Sequence, residues 1–186
     1  MLMPFSSAFT VYNLGIDLDH LPIIYLVTGI AMIFMGPLVG RATDSVGRLP
    51  MFFFGTTLMA VMVVIYTNLD GASVLMVTLI NVAMFAGIFS RMIPFQTLMT
   101  QVPAATHRGS FNAVSASLSQ LAGGLAAVVA GHIVTEGADG RLQHYDVAGY
   151  VVVVTGVLAC ILTWRIDRGV RKAAAELQPA AAAPAG

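Results

Sequence analysis

Residues 36–48 read Gly-Pro-Leu-Val-Gly-Arg-Ala-Thr-Asp-Ser-Val-Gly-Arg, a short polar and charged stretch between two long apolar runs. The runs cover residues 21–39 and 51–66, each close to the ~20 residues that a helix needs to cross the hydrocarbon core of a bilayer. A turn this short cannot carry the chain back across a membrane. The sequence therefore predicts two antiparallel membrane helices with the polar turn on one face of the bilayer.

The composition of the whole chain agrees with a membrane protein. Of its 186 residues, 58% are hydrophobic and only 10% are charged, which differs from an ordinary soluble domain. The formal net charge is zero, which argues against nucleic-acid binding. The single cysteine, Cys160, lies in an apolar run and cannot form a disulfide within the chain.

The apolar runs predict an all-α, polytopic transmembrane bundle with five full spans and one partial span. Pro94 lies inside the third full span and predicts a kink or a break there. The Ala/Pro-rich segment 173–186 has nothing to bury, and we expect it to be disordered. The partial span covers residues 1–13, and the full spans cover residues 21–39, 51–66, 74–100, 111–134 and 147–164.

The basic residues predict the orientation. If the 36–48 turn lies inside the cell, seven of the nine lysines and arginines fall inside and only Arg141 falls outside, in agreement with the positive-inside rule. The C-terminus is then cytoplasmic, and we expect a multi-pass protein of the cell (inner or plasma) membrane. Interfacial aromatic residues fit this orientation. Trp164 lies at the inner end of the last span, and five tyrosines lie near outer ends: Tyr12, Tyr25, Tyr66, Tyr145 and Tyr150.

The turn contains the pattern G-x-x-x-D-x-x-G-R at Gly40, Asp44, Gly47 and Arg48. Together with the predicted topology, it resembles the cytoplasmic loop motif of major facilitator superfamily transporters. Residues 90–94 (SRMIP), 102–103 (VP), 108–111 (RGSF) and 120–124 (QLAGG) are similar to the tenth-to-eleventh helix region of bacterial sugar-efflux and drug:proton antiporter-like members.

The resemblance implies the C-terminal six-helix half of such a transporter. Residues 1–13 would be part of helix seven, and residues 21–172 would form helices eight to twelve with a basic cytoplasmic end. The implied partners are the lipid bilayer, an N-terminal six-helix half, a small-molecule substrate and protons. The family usually has a basic residue directly after the motif aspartate, whereas this chain has Ser45.

Two interpretations of the motif remain open. In the first, the motif clamps the two transporter halves in one conformation, Asp44 pairs with Arg41 or Arg48, and Gly36 and Gly40 allow a neighbouring backbone to approach. In the second, the two arginines only follow the positive-inside rule and Asp44 caps the next helix.

Arg91 is the one arginine or lysine well inside a span. Because a charge there costs at least ~2.5 kcal/mol on insertion scales at the helix centre, it normally faces a cavity or a partner. Arg91 is therefore a candidate for contact with a substrate or a partner charge, with Met84 near its helical face and Asn81 beside that face. The alternative is that Arg91 reaches toward the cytoplasmic interface.

The 111–134 span has one face of polar and small residues and one of bulky apolar residues. Asn112 and Gln120 on the polar face are candidates for lining a cavity, or they hydrogen-bond to neighbouring helices. His132 lies near the outer end of the span. Two interpretations of His132 stay open, a proton relay and a histidine at the membrane interface.

We find no enzyme motif, nucleotide-binding loop, metal-ligand spacing or acidic pair within a span. The sequence therefore predicts no catalytic residues, no metal and no cofactor. We expect a secondary transporter that exports drug-like or sugar-like molecules by alternating access. The alternatives are a non-transporting membrane interaction module and a truncated, inactive fragment. A small channel is disfavoured, because the sequence lacks the ring of charged or filter-like residues that a pore requires.

Overall fold

The computed structural model describes residues 2–100, 103 and 105–181. A short helix, α1 (Met3–Ala8), continues into a π-helical turn, Phe9–Asn13, and a 3₁₀ turn follows at Leu18–His20. A two-stranded antiparallel hairpin connects the last two helices. The remaining elements in chain order are α2 (Leu21–Val46), α3 (Arg48–Thr67), α4 (Val74–Met99), α5 (Arg108–Ile133), β1 (Thr135–Glu136), β2 (Leu142–Gln143) and α6 (Tyr145–Ala181).

Five helices of the described part, α2 to α6, are long and apolar enough to cross a membrane. This confirms the all-α bundle with five full spans that the sequence predicts. Counted with its π-helical turn, α1 reaches Asn13 and has about half the length of a span.

Helices α3 and α4 form the most extensive interhelical contact, and two glycines make it possible. A Cβ atom on Gly55 of α3 would lie 2.6 Å from the backbone of α4, and one on Gly87 of α4 would lie 2.7 Å from the backbone of α3. Small residues at such a crossing let two membrane helices pack backbone to backbone. The crossing fixes α4 beside the cavities described below.

Helix α6 also packs on α3, and small residues again allow a close approach. A Cβ atom on Gly149 would lie 2.6 Å from the Thr67 hydroxyl, and one on Gly156 would lie 3.3 Å from the Thr56 methyl group. The buried hydroxyls of these threonines donate to carbonyls one turn earlier in α3, so the helix satisfies its own polar groups.

The best-packed part of the core lies where α1 meets α3, α4 and α6. Phe9 stacks on Tyr145 with ring centroids 4.3 Å apart and tilts against Tyr66 at 5.3 Å. Tyr66 and Tyr145 are 1% and 2% exposed. Both tyrosines lie at helix ends, where the sequence analysis placed them, but their side chains belong to the core. Tyr12, Tyr25 and Tyr150 are exposed.

The β1–β2 hairpin holds the end of the π-helical turn. Asn13 donates from Nδ2 to the Leu142 carbonyl and accepts from the Leu142 amide, both at 2.9 Å. Arg141 donates to the carbonyls of Tyr12 and Asn13 at 3.3 and 3.4 Å. A cation at these last carbonyls is favourable because they carry the negative end of the helix dipole.

The polar turn that the sequence predicts over residues 36–48 is mostly helix. Helix α2 runs through Val46, and α3 begins at Arg48, so only Gly47 lies between them. Nothing before Gly47 ends α2, and Gly47 reverses the chain with φ +101°, a value that favours glycine. A Cβ atom on Gly36 or Gly40 would meet nothing within 4 Å among the described residues, so the close approach of a backbone at these glycines stays a prediction.

Two further expectations differ from the structure. Helix α4 is continuous from Val74 to Met99, so Pro94 does not break it. Helix α6 continues through Ala181, whereas the sequence predicts disorder from residue 173 onward. Alanine has the highest helix propensity, which accounts for the added turns. Residues 182–186 of that tail lie outside the described residues.

Helix α5 is almost wholly exposed and makes only a small contact with α6. Its Gly123 and Gly131 meet no other helix within the described residues. The tightly packed part of the bundle is therefore α2, α3, α4 and α6, with α1 seated at one end.

Candidate functional site

Two adjoining cavities follow one side of α4. The first, which we name the Tyr66 cavity, has a volume of about 200 Å³ and is lined by Leu2, Met3 and Ser6 of α1 and its flank and by parts of α2, α3, α4 and α6. The second, the Arg91 cavity, has a volume of about 490 Å³ and lies between α3, α4 and α6. Met59 and Ile88 line both cavities, which therefore adjoin, and we call the two together the groove along α4.

Asn81 and Met84, two residues that the sequence analysis selected, line the Tyr66 cavity. Asn81 is 3% exposed, and its Nδ2 donates to the Val77 carbonyl at 3.1 Å. Its side-chain oxygen remains available as an acceptor at the cavity wall. Met84 adds a flexible, polarisable surface that can adapt to ligands of different shape.

Arg91 lines the Arg91 cavity and is half-buried. Its Nη1 approaches the Met59 sulfur at 3.5 Å, and its guanidinium carbon lies 5.9 Å from the centre of the Phe52 ring. Among the described residues, Arg91 makes these contacts and no ion pair with a carboxylate. A thioether and a ring face are weak partners for a guanidinium, so a stronger partner could still be accommodated.

A buried hydroxyl network borders the Tyr66 cavity, and the sequence analysis did not anticipate it. The Tyr66 hydroxyl lies 2.8 Å from Thr10 Oγ1 and 3.2 Å from the Ser6 carbonyl, to which it donates. The Tyr145 hydroxyl donates to the Leu2 carbonyl at 3.3 Å. The network ties α1 to α3 and α6. No local sequence signal marks its links between helices, because the residues that they join lie more than 50 positions apart.

The structure does not bring Asn112 and Gln120 to this groove. Both lie on the exposed surface of α5, as does His132, whose Nδ1 is 2.9 Å from the Val128 carbonyl. The candidates on α4 and those on α5 therefore lie on separate surfaces of the described part of the chain.

Comparison with known proteins identifies the family. The family model described as Major Facilitator Superfamily matches residues 1–185. This chain belongs to the major facilitator superfamily. It is also similar to the proline/betaine transporter of Escherichia coli (strain K12), with 26% identity over 186 aligned residues that cover 97% of this chain. The proline/betaine transporter of Escherichia coli O157:H7 matches equally well.

The chain spans 37% of the length of each of these curated relatives. No solved structure matches it significantly. Membership of the superfamily confirms the resemblance drawn from the 36–48 motif and agrees with the helical bundle as a half-fold of a multi-pass membrane transporter.

The charged residues of the 36–48 motif differ from one another in their surroundings. Arg41 and Asp44 are exposed on the last turns of α2. Arg48 instead lines a small cavity between α3, α4 and α6, where Asp167 also lies. Asp167 is 7% exposed and was missed by the sequence analysis, which treated residues 165–172 as a basic segment. A single acid within a basic stretch at the end of a span was the signal that could have revealed it.

Proposed function

We propose that this chain is the C-terminal half of a secondary active transporter and that its substrate binds in the groove along α4. The observation that carries the proposal is the pairing of a polar acceptor, Asn81, with an adaptable apolar wall, Met84, in one cavity beside α4. Ligand sites commonly combine a mostly apolar lining with a few fixed polar groups. Transport would proceed by rocking of this bundle against an N-terminal six-helix half.

Residue placement supports the orientation proposed from the sequence. Successive spans alternate in direction, so Arg48, at the start of α3, and Arg165 and Arg168, near the end of the last span, fall at the same end of the bundle. Arg168 lies 3.8 Å from the centre of the Trp164 ring, a pairing typical of an interface. We therefore propose a cytoplasmic C-terminus in a cell membrane.

Two substrate classes follow from different observations. The sequence motifs favour export of drug-like or sugar-like molecules, and the apolar lining with Met84 agrees with that class. The name of the relatives favours a small zwitterion such as proline or betaine, and the aromatic residues Tyr25 and Phe85 of the same cavity suit a quaternary ammonium group. Protons are the proposed coupling ion.

Uptake into membrane vesicles tests the proposal. The vesicles would contain the chain together with the N-terminal half, and the substrates would be a cationic dye, a sugar and radiolabelled betaine. We expect Asn81→Leu and Met84→Ala to raise the KM for one of these classes at least several-fold. The matched control is Leu79→Ala on the exposed face of α4, which should leave KM unchanged.

Equal KM values for the cavity variants and the control would contradict the proposed site. Absence of uptake for all three substrate classes by the assembled protein would instead favour the alternative of a non-transporting module or an inactive fragment.

A further inference from the structure

The backbone of Arg91 lies in the close crossing of α3 and α4. A Cβ atom on Gly55 would lie 2.6 Å from the Arg91 amide nitrogen, and one on Gly87 would lie 2.7 Å from the amide nitrogen of Met59. Met59 is also the residue whose sulfur contacts Arg91 Nη1. Because the crossing holds both backbones, the guanidinium is positioned before any ligand arrives, and preorganisation of this kind lowers the entropic cost of binding.

The charge of Arg91 faces the interior of the described bundle. Helix α4 continues beyond Arg91 to Met99, which places Arg91 roughly 12 Å from the end of the helix. Both side chains that the guanidinium contacts are buried, Met59 at 6% and Phe52 at 3% exposure. A charge at such a depth in a membrane protein normally faces a cavity or a partner, and here it lines the Arg91 cavity.

The lining of the Arg91 cavity restricts the class of ligand. Its volume of about 490 Å³ falls within the ~300–1,000 Å³ that small-molecule sites typically have. Among the described residues that line it, Arg91 and Thr163 have polar side chains and the others are apolar. A sugar would leave most of its hydroxyls without partners, and a cation would be repelled by Arg91. An anion with an apolar body suits both the charge and the wall.

A carboxylate is the anionic group that the guanidinium fits best. The planar fork of an arginine can donate two parallel hydrogen bonds to a carboxylate, which is a far stronger partner than the thioether that Nη1 now contacts. The Met59 side chain is flexible enough to make room. Beside it, the rings of Phe52 and Phe95 lie 6.1 Å apart between their centres and offer an aromatic wall to the rest of the ligand.

We propose that the Arg91 cavity binds a small organic monocarboxylate, with the carboxylate on the Arg91 guanidinium and the apolar remainder against Phe52 and Phe95. The inference rests on the proposed function and narrows the substrate to molecules that carry a carboxylate. Betaine and acidic drug-like molecules meet that condition, whereas sugars and cationic dyes do not.

Binding of three related probes to the purified full chain tests the proposal. Phenylacetate, phenylacetamide and phenethylamine share an aromatic body and carry a negative, a neutral and a positive polar group. Equilibrium dialysis in a non-ionic detergent at pH 7 measures the Kd of each probe. We expect phenylacetate to bind at least ten-fold more tightly than phenylacetamide, and phenethylamine to bind most weakly.

Substitutions of Arg91 test the charge. Arg91→Gln should bind phenylacetate and phenylacetamide with similar Kd values, and Arg91→Lys should keep part of the preference for the anion. The matched control is Arg108→Gln, which removes an exposed arginine outside the cavity and should leave the preference unchanged. Because the readout is a ratio of two Kd values for one protein, a general loss of stability does not imitate the effect.

A second pair of variants tests the cavity without a change of charge. Ala159 lines the Arg91 cavity, so Ala159→Phe should fill part of it and weaken phenylacetate binding at least several-fold. Val157→Phe on an exposed face of the same helix should have no such effect.

Several results would overturn the proposal. They are similar Kd values for the anion and the amide in the unsubstituted chain, an anion preference that persists in Arg91→Gln, and equal phenylacetate binding by Ala159→Phe and Val157→Phe. Loss of the anion preference after assembly with the N-terminal half would also overturn it, because Arg91 would then pair with a carboxylate of that half.

The same measurements separate this inference from the proposed function. Arg91-dependent binding of phenylacetate without uptake of any substrate by the assembled protein would support the carboxylate site and count against transport alone. Uptake of a sugar or a cationic dye by a protein that shows no anion preference would support transport and overturn the carboxylate site.

Discussion

Substitution of Gly55 by alanine should weaken the bundle more than the same substitution at a helical glycine that faces open space. The new Cβ atom would lie 2.6 Å from the backbone of Ser90 and Arg91, about 0.8 Å closer than the 3.4 Å at which ordinary contact begins. Because the atoms it meets are backbone, no side-chain rotation relieves the clash and α3 must move away from α4. Overpacking of this kind costs ~1–3 kcal/mol, and we expect the upper part of that range.

Helix propensity works in the opposite direction. Alanine is favoured over glycine within a helix by about 1 kcal/mol, so Gly55→Ala should lose a net ~1–2 kcal/mol of folding free energy. Gly29→Ala on α2 is the matched control, because its Cβ atom would meet nothing within 4 Å. That variant should gain up to ~1 kcal/mol, which places the two variants ~2–3 kcal/mol apart.

The assay is reversible unfolding in mixed micelles of a mild detergent and dodecyl sulfate. The helix content is measured as the signal of unfolding. A Gly55→Ala protein as stable as Gly29→Ala would refute the reasoning, because it would show that α3 and α4 do not cross at van der Waals distance in the membrane protein. Gly87→Ala on the other helix serves as a replicate, since its Cβ atom would lie 2.7 Å from the Met59 amide nitrogen.

Three further changes test the remaining contacts in the same unfolding assay. Tyr66→Phe removes a buried hydroxyl and should cost ~1 kcal/mol or more, whereas Tyr25→Phe at an exposed site should be neutral; equal effects would argue against the buried network. Asn13→Ala breaks both hydrogen bonds to the hairpin and should cost ~1–2 kcal/mol, and an unchanged free energy of unfolding would contradict the contact between Asn13 and the hairpin. Gly149→Ala meets a threonine side chain that can rotate, so it should cost less than Gly55→Ala, and a larger cost would show that α6 is held rigidly.

The spans and the family could be predicted because their signals are local. Hydropathy over about 20 residues identifies a membrane helix without knowledge of its neighbours, since each span satisfies its own backbone hydrogen bonds. The spacing of Gly40, Asp44, Gly47 and Arg48 carries the family likeness in the same local way. The sequence also selected Asn81 and Met84 from their position on α4, and both line a cavity.

The rest depends on contacts between distant segments. Tyr66 and Tyr145 look interfacial by position, yet Phe9 and the hydroxyls of α1 bury them in the core. The polarity of the 36–48 stretch suggests a loop, but only the positive φ of Gly47 ends the helix. Asp167 was overlooked because its surroundings along the chain are basic, whereas its burial results from packing of α6 against α3 and α4.

The surface of α5 bears on which of the proposed functions is correct. The polar residues Asn112, Ser119 and Gln120 are exposed, and lipid offers them no hydrogen-bond partners. Ser119 returns its hydrogen bond to a carbonyl of its own helix. The Gln120 amide has two N–H donors and a carbonyl acceptor, so a single bond of that kind would leave the other groups without a partner. A module that functions alone in the bilayer would therefore leave the Gln120 amide, which lies well inside the 111–134 span, facing hydrocarbon. A transporter with an N-terminal half would cover it with helices or with a water-filled path, and the polar face of α5 thus favours the transporter over the stand-alone module.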